Sequence, residues 1–220
     1  YQWGVYYRKD LFDQLGLNVP RDWDEFKWVC AMLKKNGITP ITIGTKYLWT
    51  AGGWFDYLNF RINGYQFHMD LTAGKVSYED PRLDAVFDHW RELIDPGYFL
   101  EDHASFSWQD AQAPQINGEA AMYLIGNFYV PTFEAAGIGD QMDFFQFPTI
   151  YEGVGVAEDA PTDTMHIPSG AKNVEDAKKF LAFMSNKEAA TNWAKMGGML
   201  SPNKYADKPT NRFSIMGAKM

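Results

Sequence analysis

Residues 1–44 read YQWGVYYRKDLFDQLGLNVPRDWDEFKWVCAMLKKNGITPITIG, and they pass from strand to helix to helix to strand. WGVYYRK is apolar and β-rich, which reads as a strand. LFDQLGL is a short helix stopped at Gly16. Asp22 can cap the next helix, and Glu25 three residues later can complete a capping box. Phe26, Val29, Cys30 and Leu33 then fall on one apolar face. Lys34 and Lys35 suit the negative end of the helix dipole, and Gly37 ends the helix. ITPITIG reads as a buried strand.

The same alternation continues outward. Residues 51–63 read as a helix starting at the glycine pair Gly52–Gly53. EDPRLDAVFDHWRELIDPG is a helix capped by Asp80, with Pro81 in its first turn and Leu83, Val86, Phe87, Trp90 and Leu93 facing inward. AAMYLI is a strand, YVPTFEAAGIG a short helix, and MDFFQFPTI a strand ended by Pro148. A Gly-rich acidic loop leads to two helices, KNVEDAKKFLAFMSN capped by Asn173 and KEAATNWAKMGG. The tail is rich in Pro and Asn. Strands alternating with helices make this an α/β chain.

Composition narrows the function. The 220 residues fit one large domain or two small ones, and 46% hydrophobic with 22% charged residues is globular. A net charge of −8 argues against nucleic acid and against an anionic membrane surface. Cys30 is the single cysteine, so no intramolecular disulfide forms, and its helical setting reads as a buried thiol. No apolar run reaches the roughly 18 residues of a membrane span. The chain begins without Met and already strand-like, which reads as an interior start of a longer protein. GTKYLWTAGG lacks the Gly-Lys-Ser/Thr ending of a phosphate loop. There is no GxSxG elbow, HExxH or Cys–His pair, and the four histidines are scattered, so neither a catalytic motif nor a zinc site is expected. The 28 carboxylates leave a glycosidase pair open as an alternative, since spacing along the chain does not reveal one.

Aromatic residues, 16% of the chain, are the strongest compositional signal. Trp23, Trp28 and Trp90 lie in amphipathic helices and are assigned to the core. Trp3, Trp49, Trp54 and Phe128 lie at or near strand ends and turns, where core packing is the first reading of any single ring and a ligand platform the second. Ligands of open α/β sheets sit beyond the carboxyl ends of the strands. Glycines admit close approach to backbone there, and a helix start offers free N–H groups. Aromatic faces with amides and carboxylates suit a polyhydroxylated ring, which has an apolar C–H face and a rim of hydroxyls.

The opening 44 residues also resemble the middle of family 1 extracellular solute-binding proteins of carbohydrate ABC transporters. That family runs through a strand with YY or YN, K-D-L-F, G-L, a Pro, T-W-D-E-F, a helix and G-x-x-P-I. Arg21-Asp22 stands here for the usual Lys-Thr, and Asp also caps. INGEAAMYLIGNF is similar to the family's G-K/E-A-A-M-x-x-x-G-x-W. AKKFLAFMSNKEAATNWAKMGGMLSPNK is similar to its A-x-x-F-L-x-F-x-x-S-x-E-x-Q-x-x-W-A-x-x-G-x-x-P. The resemblance covers nearly the whole chain, in order.

The resemblance implies a two-lobed type II periplasmic-binding-protein-like fold with a sugar in the interlobe cleft. Tyr1–Tyr6 would be a hinge strand, residues 1–141 that strand and most of the second lobe, and 142–220 the return crossing and part of the first lobe. An incomplete lobe would expose apolar surface. Phe128 falls where the family often has a tryptophan stacking on sugar, a larger platform than phenyl. Asp163, in TDTMHIPSGA, matches the D-S-F-x-x-P-x-G of monosaccharide binders, whose Asp accepts from sugar hydroxyls. Trp49 and Trp54 match cleft-edge aromatics, Tyr1 and Trp3 face the cleft from the hinge, and Gly53 and Asn127 offer a backbone and a side-chain amide. Asn127 fits turn geometry equally well. The expected protein is a monomer outside the cytoplasm, periplasmic or extracellular, with or without a lipid anchor. It would carry a carbohydrate to a membrane permease, with no cofactor and no metal. A carbohydrate-active enzyme and an intracellular partner-binding module are the competing classes.

Overall fold

The computed structural model describes residues 1–219. Its central strand, β1 (Trp3–Arg8), is buried at all six positions. That follows from having a strand on either side and helices over the sheet. β1 runs antiparallel to β3 (Ala120–Gly126), with Trp3 opposite Gly126 and Tyr7 opposite Met122. On its other edge it runs antiparallel to β4 (Met142–Phe145). β2 (Thr39–Ile41) lies parallel to β3, giving a mixed sheet in the order β2-β3-β1-β4.

β2 is three residues long, shorter than the run ITPITIG suggests. Pro40 brings no N–H to the ladder. Ile41 then turns its own groups outward, its N–H to Tyr98 O and its carbonyl to Leu100 N–H, so residues 98–100 cover the edge.

α1 (Lys9–Leu15) leads into α2 (Trp23–Lys35). Asp22 accepts from Glu25 N–H as the sequence expects. The reciprocal bond from Glu25 goes to Arg21 N–H, at 2.8 Å. Trp23, Phe26, Val29, Cys30 and Leu33 are buried, and burial pushes the Cys30 thiol well above its usual pKa. Trp28 departs from the expectation. It is 55% exposed, because it shares the outer stripe of α2 with Asp24, Ala31 and Lys35.

α3 (Trp49–Ile62) starts two residues before the expected point. After Asn63, Gly64 at φ +81° breaks the helix axis, and α4 (Gly64–Thr72) follows, unanticipated in sequence. α5 (Asp84–Ile94) buries Val86 and Leu93. Phe87 is exposed and Trp90 only half-buried, so the inward face is narrower than the sequence pattern suggests. α6 (Gln112–Ile116) precedes β3, and α7 (Val130–Ala135) follows it.

The core is one contiguous cluster around β1 and β3. Beyond β4 the packing thins. α8 (Val174–Met184) has no buried residue, and Phe180 and Phe183 lie exposed on it. α9 (Lys187–Gly197) exposes Trp193 and Met196. The Pro- and Asn-rich tail contains α10 (Arg212–Gly217), capped by Asn211 and not anticipated in the sequence. Among the described residues, no helix is long and apolar enough to cross a membrane.

Candidate functional site

Five rings meet where β1 begins and β3 ends. Trp3 opens β1, while Phe128 lies just past Gly126, the last residue of β3. Trp49 starts α3, Trp108 comes from the turn before α6, and Tyr1 precedes β1. Trp3 meets Trp49 edge-on at 5.8 Å between centroids, and Trp49 meets Trp108 at 6.0 Å. Phe128 lies 5.0 Å from Trp108 and 5.2 Å from Tyr1, both edge-to-face. Such T-shaped packing satisfies the ring quadrupoles and leaves faces free for an incoming apolar surface. Trp49 is 39% exposed, while Tyr1, Trp108 and Phe128 are half-buried. Trp3 is buried behind them, and its indole N–H has no acceptor. A buried donor left unpaired is costly unless something else pairs it.

Sequence reasoning did not single out Trp108. The run Ser107-Trp108-Gln109-Asp110 closes on itself: Asp110 Oδ2 accepts from Ser107 N–H at 2.9 Å and from its hydroxyl at 2.6 Å. The Ser-x-x-Asp spacing signals that turn. Nothing local says that the ring it carries reaches Phe128.

Three expected site residues serve the fold. Trp54 is fully buried, against Phe99 at 5.1 Å and Phe147 at 5.6 Å. Five residues along a helix turn a side chain about 140° further round, which takes Trp54 to the inner face while Trp49 stays outside. Gly53 makes room for a protein ring: a Cβ there would stand 2.5 Å from the Trp3 indole. Asn127 is fully buried, and its amide donates to Gly198 O at 2.8 Å, tying the end of β3 to the end of α9.

Asp163 is exposed and accepts from the Tyr1 hydroxyl at 3.3 Å. Burial and then Asp163 raise the Tyr1 phenol above its ordinary pKa. Among the described residues, Asp163 is the one carboxylate hydrogen-bonded to a side chain of the cluster. Tyr1 and Asp163 line a cavity of about 580 Å³ shared with Gln2, Met165 and Trp193. A larger cavity, about 660 Å³, lies behind Leu48 between Trp90 and Phe99 and does not include the cluster rings. The 580 Å³ cavity takes in Tyr1 of the cluster and the Asp163 carboxylate, and Tyr1 in turn packs on Phe128, so it adjoins the ring cluster through Tyr1 alone.

Below the cluster lie Asp56, Glu158 and Asp159, all raised above the usual carboxylate range, chiefly by burial. Asp56 is pushed up to about 6 by burial and then by Asp159, and His68 Nε2 is 3.9 Å from it. Burial also lowers the His68 pKa, so this pair carries little attraction at neutral pH. The folded form therefore keeps a proton on Asp56 that the unfolded chain releases near pH 4. Stability from this group is full below about pH 4 and declines as pH rises to about 6. Asp56→Asn is expected to stabilise the fold at pH 8 by about 1 kcal/mol, discounted for partial exposure, and to be neutral at pH 4. Urea midpoints at pH 4, 6 and 8 check this, and an equal shift at all three values contradicts it.

The profile of the bacterial extracellular solute-binding protein family matches residues 1–191. The chain belongs to that family. This solute-binding protein is 30% identical, over 92% of its length, to an uncharacterized ABC transporter extracellular-binding protein of Pyrococcus horikoshii, of which the match covers 45%. It is 26% identical, over 89% of its length, to the multiple sugar-binding protein of Streptococcus mutans, 48% of which is covered. It thus spans about half the length of the curated relatives it matches. Among solved structures, all of it superposes on 57% of the bacterial solute receptor AcbH, with a TM-score of 0.84 and 32% identity. That receptor is described as having an exclusive preference for β-D-galactopyranose. A chitin oligosaccharide binding protein has the same fold, with a TM-score of 0.83 at 23% identity over 99% of the chain and 57% of that protein. The solute-binding protein accordingly has the type II fold of its neighbours, and those neighbours are receptors rather than enzymes.

Proposed function

We propose that the intact protein is an extracytoplasmic receptor that captures a sugar and delivers it to an ABC transporter permease. The observation that carries this is the meeting of a partly exposed aromatic wall, Trp49 with Trp108 and Phe128, and the Tyr1–Asp163 pair at one end of the sheet. A pyranose would stack its C–H face on the wall and donate hydroxyl hydrogens to Asp163. Residues 1–141 would form the hinge strand and most of one lobe, and 142–220 the return crossing and part of the other. Sugar touching both lobes would favour the closed state, because only contacts made better in that state shift the balance. The protein would act as a monomer, and no bond would be made or broken. The galactose preference of the solved relative makes a monosaccharide the first ligand to try.

A hydrolase needs two carboxylates about 5 to 9.5 Å apart across the bound ring. Among the described residues, Asp163 is the one carboxylate hydrogen-bonded to a cluster side chain, and nearby Glu158 is taken up by Arg61 and Tyr57, which supports binding over hydrolysis. The test is a tryptophan-fluorescence titration of the intact protein with galactose, glucose, N-acetylglucosamine, chitobiose and raffinose. One sugar is expected to quench saturably, and Asp163→Asn to weaken it about 10- to 100-fold, as loss of a hydrogen bond to a charged group does. A folded protein that answers to none of them overturns the reading. Release of a chromophore from an aryl glycoside would replace it with the enzyme.

A further inference from the structure

The chain beyond β4 passes α3 twice, and one side chain meets it on both passes. Arg61 is 2% exposed. Its Nε donates to Phe147 O at 3.1 Å, its Nη1 to Ala157 O, and its Nη2 to Glu158 Oε1 at 2.6 Å. Residues 148–156 are therefore a loop with both ends held by one guanidinium. Tyr57, one turn earlier, donates its hydroxyl proton to Glu158 Oε2 at 3.0 Å and accepts from Asp159 N–H at 3.3 Å. Asp159 O in turn accepts from Trp3 N–H at 3.0 Å, at the mouth of β1. Four residues further on is Asp163, against the Tyr1 hydroxyl.

An ion pair buried this deeply is weak evidence for stability, since taking both charges out of water offsets much of their attraction. What the guanidinium does supply is direction: a planar fork with five donors sets three acceptors in fixed relation, which an ammonium does not. We propose that Arg61 is a positioning residue for the sugar site, holding residues 157–159 against α3 and β1 and so fixing where Asp163 stands relative to Tyr1 and the ring cluster. This rests on the sugar-binding reading of the site. The strap it secures carries the site's carboxylate, while α3, which carries Arg61, also carries the exposed Trp49. One helix thus registers both the stacking wall and the hydrogen-bonding group.

The test uses the intact protein and the sugar that quenches it. Arg61→Lys keeps the charge and loses the fork. It is expected to weaken sugar binding about tenfold, the scale of a misplaced charged hydrogen bond, and by about twofold or less when Asp163 is already Asn. Equal loss in both backgrounds, or no loss in either, overturns the proposal. Amide hydrogen exchange supplies a second readout that needs no ligand. Trp3 and Asp159 amides are expected to exchange faster in Arg61→Lys while Gly4 and Tyr6, in the β1–β3 ladder, do not. Unchanged exchange at Trp3 and Asp159, or loss of protection throughout the sheet, counts against the clip. If Arg61→Lys does not fold, Glu158→Gln, which keeps one oxygen for Arg61 but puts an NH2 donor where Tyr57 now donates, is expected to show the same local pattern with a loss of about threefold. Sugar binding that is indifferent to Asp163→Asn removes the site reading alone, and the exchange data still judge the clip.

Discussion

Trp49→Ala in the intact protein is expected to weaken sugar binding by about 30-fold, ~2 kcal/mol, the scale of an aromatic anchor at a binding surface. The fold is expected to survive. Trp49 stands at the first position of its helix with 39% of its surface open, so truncation removes little that the core depends on. Trp3, Trp108 and Phe128 remain in contact with one another or with Tyr1 after the ring is gone. Trp49→Phe keeps a smaller face and is expected to fall between the two. Calorimetric titration of the three proteins measures the series. Wild-type affinity in Trp49→Ala would move the platform to another ring of the cluster, and Trp108→Ala would then be the variant to make.

Trp54→Ala is expected to do the opposite, destabilising the fold by about 3–5 kcal/mol, as loss of a fully buried aromatic does. Its ring is fully buried and meets Phe26, Phe99 and Phe147. Trp54→Phe is milder, about 1–2 kcal/mol, because the indole N–H has no acceptor in the native state and nothing polar is orphaned by its removal. Urea midpoints give both values. The pair also separates roles: Trp54→Phe is expected to bind sugar as the wild type does. Binding lost at unchanged stability would return Trp54 to the site.

These two tryptophans show how far the sequence could be read. Both flank Gly52–Gly53, and a helix started at the glycines leaves both rings near the approach to its end. The helix actually starts at Trp49, with Leu48 at φ +65° turning the chain into it. A left-handed leucine is rare enough that no residue pattern announces it. Moving the start by two residues fixes the phase, and the phase sends one ring out and the other in. The same kind of error, on the other side, placed Trp28 in the core. The apolar stripe of α2 is complete without it, and aromaticity alone did not tell inside from outside.

Short-range signals were legible. Asp22 and Asp80 accept from backbone N–H groups at their helix starts, whereas Asn173 stands at the start of α8 without a capping bond and donates its amide to Asp176 instead. Strands β1 and β3 stand where their apolar runs are. What was not legible rests on contacts far apart in the chain. Asp163 meets Tyr1 across 162 residues, and Asn127 meets Gly198 across 71. Asn127 illustrates the limit well: a polar residue at the end of a strand reads equally as a ligand contact or a fastening, and its bond to the carbonyl of Gly198 is not visible in the sequence around it.

The ring cluster has an optical consequence. Trp3, Trp49 and Trp108 form a chain of indoles spaced 5.8 and 6.0 Å apart at steep angles. Chromophores this close exchange excitation faster than they emit, so the three behave as one emitter. A molecule that touches only the outermost ring will therefore dim all three, and the near-ultraviolet dichroism of the coupled indoles will change sign or amplitude with any rotation of one against the next. On the proposed reading, the protein would carry its own gauge of occupancy, without a label, at the sugar site.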